Sequence, residues 1–172
     1  MIIETAENKA DEILKNLGIE TVPVDLGKVA KHYGIFVTET PGKDALSGLL
    51  LKSEHKAIIG INSSHGITRK RFTIAHELGH YFLHEQDTFV DENENLEAIR
   101  FRHNDFPQTQ EEKEANCFAA ALLMPANLIK KHFKSLNEIL NIDEIIQILS
   151  EKYEVSSEAM RYRLINLQLI DN

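Results

Sequence analysis

A single cysteine, Cys117, in 172 residues excludes an intrachain disulfide. No apolar run approaches the ~20 residues of a membrane-spanning helix. Basic residues are outnumbered by acidic ones, 19 to 27, and the formal net charge is −8. A general nucleic-acid binder needs a basic face, so direct nucleic-acid binding is not expected. The N-terminus, Met1-Ile2-Ile3-Glu4-Thr5-Ala6-Glu7, turns acidic at once and has no apolar signal core, which argues against secretion by that route. These absences point to a reducing cytoplasm and to no membrane contact.

What is present is ordinary for a globular chain: 42% hydrophobic and 27% charged residues. The length fits one domain, residues 1–172, with one core. No internal repeat or second-domain boundary is visible. Ala6 to Leu17 has helical periodicity and is closed by Gly18. Asp25 caps a short helix to Tyr33, and Gly34 leads into a strand from Ile35 to Thr38. Leu46 to Leu51 and Lys56 to Ile61 form a hairpin pattern, so three strands are expected, mainly antiparallel. Acidic residues crowd Glu85 to Asn95, and the irregular stretch continues through Pro107. A stretch of that length is expected to be mobile beside a functional groove. Helices are expected from Thr109 to Leu123, from Ala126 to Phe133, from Ile139 to Leu149 behind a Ser135/Glu138 capping box, and from Ser156 to Leu167.

The chemistry lies in Phe72-Thr73-Ile74-Ala75-His76-Glu77-Leu78-Gly79-His80. Residues four apart on a helix share a face one turn apart. His76 and His80 can therefore offer ring nitrogens to one zinc ion, and Glu77 stands beside that face as a base. This is the arrangement of helical metalloproteases. Ile67, Phe72, Ala75, Leu78, Phe82 and Leu83 supply an apolar stripe that would bury the helix, and Gly79 is expected at a close packing contact. Arg69, Lys70 and Arg71 fall in the first turn, against the helix dipole, and read as a solvated basic face.

A catalytic zinc of this type needs a third protein ligand. Glu111, Glu112, Glu114, His103, Cys117 and His84 are the candidates. His84 lies about 12 Å along the helix from His76 and reads as a core or supporting residue. Glu112 fits best, because Asn116 shares its face one turn later and can orient a zinc histidine. Glu114 is the alternative, since Thr109-x-x-Glu112 also matches a helix cap. Ala115, Ala119 and Ala120 are small enough to let this helix lie close to the zinc helix. Cys117 is about 140° round the helix from Glu112 and reads as a small buried residue.

Arg71 to His80, followed by Glu114-Ala115-Asn116-Cys117-Phe118-Ala119-Ala120-Ala121-Leu122-Leu123-Met124-Pro125, resembles the ImmA/IrrE family of metallo-endopeptidases. Ser47-Gly48-Leu49 and Ile58-Ile59-Gly60-Ile61-Asn62 resemble it too, so the similarity spans about 46–125, with a helical part, 126–172, behind it. The resemblance implies an α+β, minimal zincin-like domain in which a small three-stranded sheet packs on the zinc helix between helical N- and C-terminal parts. It also implies a third ligand four residues before the Asn of the second motif, at Glu112, and one zinc per chain.

By the same resemblance the substrate or partner is a helix-turn-helix repressor of a mobile element or stress regulon. The chain is shorter than members that carry an added DNA-binding or sensor domain, so autonomous sensing is not expected. The expected reaction uses Glu77 as general base, with His103 or Tyr81 as candidate oxyanion donors. The rival expectations are a zinc-containing protein that captures a regulator without cutting it, and a partner in a two-gene, antitoxin-like module. The presence of Glu77 favours catalysis, because a purely structural zinc has no use for a neighbouring base.

Overall fold

The computed structural model describes residues 2–41, 48–53, 56–84 and 109–171. His103 and the acidic stretch from Glu85 to Asn95 lie outside the described residues. Seven helices and three strands are found among those described.

Helix α1 (Ile2–Asn16) buries Ala6, Ala10, Ile13 and Leu14, the stripe that its periodicity predicts. It ends at Gly18, whose φ of +60° suits a residue without a Cβ, and the Ile19 N–H reaches back to the Leu14 carbonyl at 2.9 Å. Helix α2 (Leu26–His32) starts at Asp25, whose carboxylate accepts from the Lys28 N–H at 2.9 Å.

Three strands follow: β1 (Ile35–Thr40), β2 (Gly48–Lys52) and β3 (Ala57–Asn62). The sheet order is β1-β3-β2. The expected hairpin is present: β2 and β3 pair antiparallel, and Ser53 N–H bonds the Lys56 carbonyl at 2.8 Å. The second ladder, β1 with β3, is parallel, so the sheet is mixed. Alternation of apolar residues marks a strand's buried face but does not name its neighbour. Leu50, Ala57, Ile59 and Ile61 bury one face of the hairpin, whereas β1 buries only Ile35.

Helix α3 (Ile67–Leu83) lies between that sheet and α4 (Gln110–Leu123), and α1 packs on α4. Ala75 and Leu78 of α3 and Phe118, Ala119 and Leu122 of α4 are buried. Of the first-turn cations of α3, Arg69 is exposed, but Lys70 and Arg71 are not part of a solvated face. Lys70 Nζ pairs with Glu39 of β1 at 2.6 Å. Arg71 donates to the Val24 carbonyl at 3.0 Å and faces Glu154 at 3.4 Å. Burial lowers the Arg71 pKa against the pull of Glu154 and Asp25. Both cations thus anchor the start of α3 to neighbouring elements.

Three further helices complete the described chain: α5 (Ala126–Leu136), α6 (Ile142–Tyr153) and α7 (Ser157–Asn166). The Ser135/Glu138 capping box expected from the sequence does not form. Helix α5 runs through Ser135, whose hydroxyl donates to the His132 carbonyl at 2.7 Å. The cap forms six residues later, where Asn141 and Glu144 each accept from the other's backbone N–H, at 3.1 and 3.0 Å. Arg163 of α7 is buried, donates to the Met124 carbonyl at 2.9 Å and pairs with Glu7 of α1. That ties the end of α4 to both helical flanks. No described helix is long and apolar enough to cross a membrane.

Candidate metal centre

The helical phase of α3 brings His76 and His80 to one face, toward the first turn of α4. Their Nε2 atoms lie 3.0 Å apart. Glu112 Oε2 is 3.3 Å from His76 Nε2, and Oε1 is 3.4 Å from His80 Nε2. These three side chains can hold a metal ion, with one donor atom from each within 4.8 Å of the others. A tetrahedral ion with bonds of ~2.0–2.1 Å separates its donors by about 3.3–3.4 Å; the two carboxylate–imidazole distances match that value, and the imidazoles stand slightly closer. Two imidazoles and a carboxylate are also the donor set of a catalytic zinc that keeps a fourth position open. His80 is buried, while His76 and Glu112 are half-buried, so the cluster opens toward solvent on one side.

Glu112 does two things at once. Thr109 is the N-cap of α4, and its hydroxyl accepts from the Glu112 backbone N–H at 3.3 Å. The Glu112 carboxylate meanwhile faces the histidines. A carboxylate in the first turn also suits the positive end of the helix dipole.

Each histidine is backed by a second hydrogen bond. His76 Nδ1 lies 2.9 Å from Asn116 Oδ1, as the spacing of Glu112 and Asn116 predicts. His80 Nδ1 lies 3.0 Å from His84 Nδ1, and His84 Nε2 lies 3.0 Å from Glu114 Oε2. Glu114, the alternative ligand, is therefore turned to His84 instead of the cluster. Hydrogen bonds from Gln110 and His84 lower its pKa. The His84–Glu114 pairing is the feature that sequence reasoning missed. Its signal was the continued four-residue step from His76 through His80 to His84.

Glu77 is buried on the sheet side of α3, against β2. A Cβ placed on Gly48 would overlap Thr73 Cγ2 and come within 3.1 Å of Glu77 Oε1. The missing side chain at Gly48 is what lets the end of β2 approach Glu77. Tyr81 is about 140° round the helix from His76. Its ring meets Phe82 edge-on and lies under Lys52 Nζ at 5.3 Å. Cys117 is half-buried, not fully buried, and desolvation raises its pKa, which disfavours the thiolate.

A family model described as the IrrE N-terminal-like domain, Peptidase M78, matches residues 30–165. The chain belongs to this family. Peptidase M78 proteins are zinc-dependent in general, and the cluster of His76, His80 and Glu112 is the place in this member where such an ion fits. No curated protein matches the chain. Among solved structures, a Mycobacterium tuberculosis transcriptional regulator shares the fold, with a TM-score of 0.65 and 17% identity. The match covers 94% of this chain and 46% of that one, so this M78 chain spans less than half the regulator's length.

Proposed function

We propose that this protein is a zinc-dependent endopeptidase, with one ion held by His76, His80 and Glu112 and with Glu77 as general base. The observation that carries the reading is the convergence of those three donors within 4.8 Å of one another, with Glu77 in the same turn of the helix. When bound, zinc supplies Lewis acidity, worth several kcal/mol of charge stabilisation in the transition state.

The chain's own residues do the rest. Glu77 takes a proton from the attacking water as the water oxygen bonds to the scissile carbonyl carbon. It then delivers that proton to the amine nitrogen as the carbon–nitrogen bond breaks. Asn116 and His84 hold the two imidazoles in place. Strand β2 ends one side of the sheet, and Gly48 puts its first residue beside Glu77. An extended substrate backbone adding to that edge would pass the base.

The proposed substrate is a helix-turn-helix repressor of a mobile element or stress regulon, in the cytoplasm. Family membership supports a peptidase, and the regulator that shares the fold is compatible with a place in transcriptional control. A second reading is that the chain captures a regulator without cutting it. Glu77→Gln separates the two, because it keeps side-chain size and all three metal donors but removes the base. Incubation with the repressor, read by intact mass, should show cleavage slowed by about 10²–10⁴-fold. Full relief of repression by Glu77→Gln, with the repressor intact, would reject the enzymatic reading.

A further inference from the structure

His76 and His80 of α3 and His84 at its C-terminal cap, at four-residue steps, meet three polar residues of α4 at two-residue steps. His76 meets Glu112 and Asn116, His80 meets Glu112, and His84 meets Glu114. His84 is not one of the three donors of the cluster, yet it joins His80 to Glu114 in an unbroken line. The far oxygen of Glu114 accepts from Gln110 Nε2 at 3.0 Å, which holds the carboxylate in turn.

Proton positions along this line follow by elimination. If the lone pair of His80 Nε2 is to face a metal, a neutral His80 carries its proton on Nδ1. That proton lies between the two Nδ1 atoms, 3.0 Å apart, so Nδ1 of His84 must accept it. A neutral His84 then carries its own proton on Nε2, where Glu114 Oε2 accepts it at 3.0 Å. The opposite His84 tautomer would set two N–H groups against each other at the first link. At the second link it would set a lone pair against a carboxylate.

We propose that His84 and Glu114 are positioning residues that fix the tautomer and orientation of His80 and so set the affinity of the centre for zinc. The inference rests on the zinc reading given above. His76 has its orienting group one bond away, at Asn116. His80 is served by α4 at one remove, through His84. Both imidazoles are thereby registered to the helix that carries Glu112, so the line aligns the two halves of the donor set. Loss of such an outer partner typically lowers metal affinity by about 10–100-fold.

The test is the zinc dissociation constant of the full chain, by chelator competition, with thermal unfolding of the metal-free protein alongside. His84→Leu should weaken zinc binding by about 10–100-fold. His84→Gln should recover most of that loss, because its amide can accept from His80 and donate to Glu114. In the cobalt-substituted protein, the visible absorption bands should change in His84→Leu and return in His84→Gln. If His84→Leu does not fold, Glu114→Ala provides the same test and should lose affinity in the same range. Wild-type affinity in His84→Leu, or equal losses in His84→Leu and His84→Gln, would overturn the relay and leave the zinc centre standing. A wild-type protein that binds no zinc would overturn both.

Discussion

Gly79 of α3 lies against Ala115 of α4 so closely that a Cβ on Gly79 would stand 2.9 Å from the Ala115 Cα and 3.0 Å from its carbonyl oxygen. Both obstacles are backbone, so no rotamer change relieves them. Gly79→Ala would gain about 1 kcal/mol of helix propensity, but overpacking of this kind costs about 1–3 kcal/mol. The expected net effect is a lower melting temperature. The two helices must also separate where one carries His76 and His80 and the other Glu112, so zinc affinity should fall with it. A melting temperature that rises while zinc affinity is unchanged would show that the helices can part without disturbing the cluster.

Purified protein should contain about one zinc per chain. His76→Ala or His80→Ala should abolish stoichiometric binding, as measured by elemental analysis after dialysis. Glu112→Ala should weaken binding more than Glu114→Ala, because Glu112 faces both histidines and Glu114 faces only His84. The reverse order would mean that Glu112 serves only the start of α4.

Much of the centre was legible in the sequence because helical phase is a local property. The four-residue step places His76 beside His80, and Glu112 beside Asn116, with no knowledge of the fold. The packing glycine at Gly79 and the alanines of α4 could be read as a close approach for the same reason. What spacing alone did not show depends on contacts between elements. Gly48 looks like any glycine in a strand until α3 puts Thr73 and Glu77 against it. The parallel pairing of β1 with β3 depends on which strand of the hairpin docks beside β1. Arg71 looked solvated because its partners, Val24 and Glu154, are far away in the chain. The Ser135 cap failed because α5 continues through Ser135, and the following helix starts at the Asn141 cap instead.

His132 of α5 sets a pH dependence that is independent of the centre. Its Nδ1 lies 2.8 Å from the Tyr153 hydroxyl. Burial, with Lys152 and Lys131 nearby, lowers its pKa below 6.5. The folded state therefore binds this proton more weakly than the unfolded state does. Its contribution to stability is complete above 6.5 and declines as the pH falls toward the depressed folded value. Chemical denaturation between about pH 7.5 and about pH 5 should show stability falling with acid. In His132→Gln that slope should be shallower. An unchanged slope would assign the acid sensitivity to other groups.

Gly48 offers the sharpest separation of fold from function. A Cβ there overlaps Thr73 Cγ2 first and Glu77 second. Gly48→Ala should therefore lower stability, by about 1–3 kcal/mol, as a buried overpacked site does, and should lower peptidase rate as well. Thr73→Ser deletes the methyl that collides and should restore most of the stability in the double variant. It leaves the approach of 3.1 Å to Glu77 Oε1 in place. Rate should then recover less than stability, because the new Cβ still presses on the base. Zinc content should be normal throughout, since neither substitution removes a donor atom of His76, His80 or Glu112. Measuring melting temperature, zinc and cleavage rate on all four proteins checks this. Full recovery of rate together with stability in the double variant would show that the contact between β2 and Glu77 has no part in the reaction.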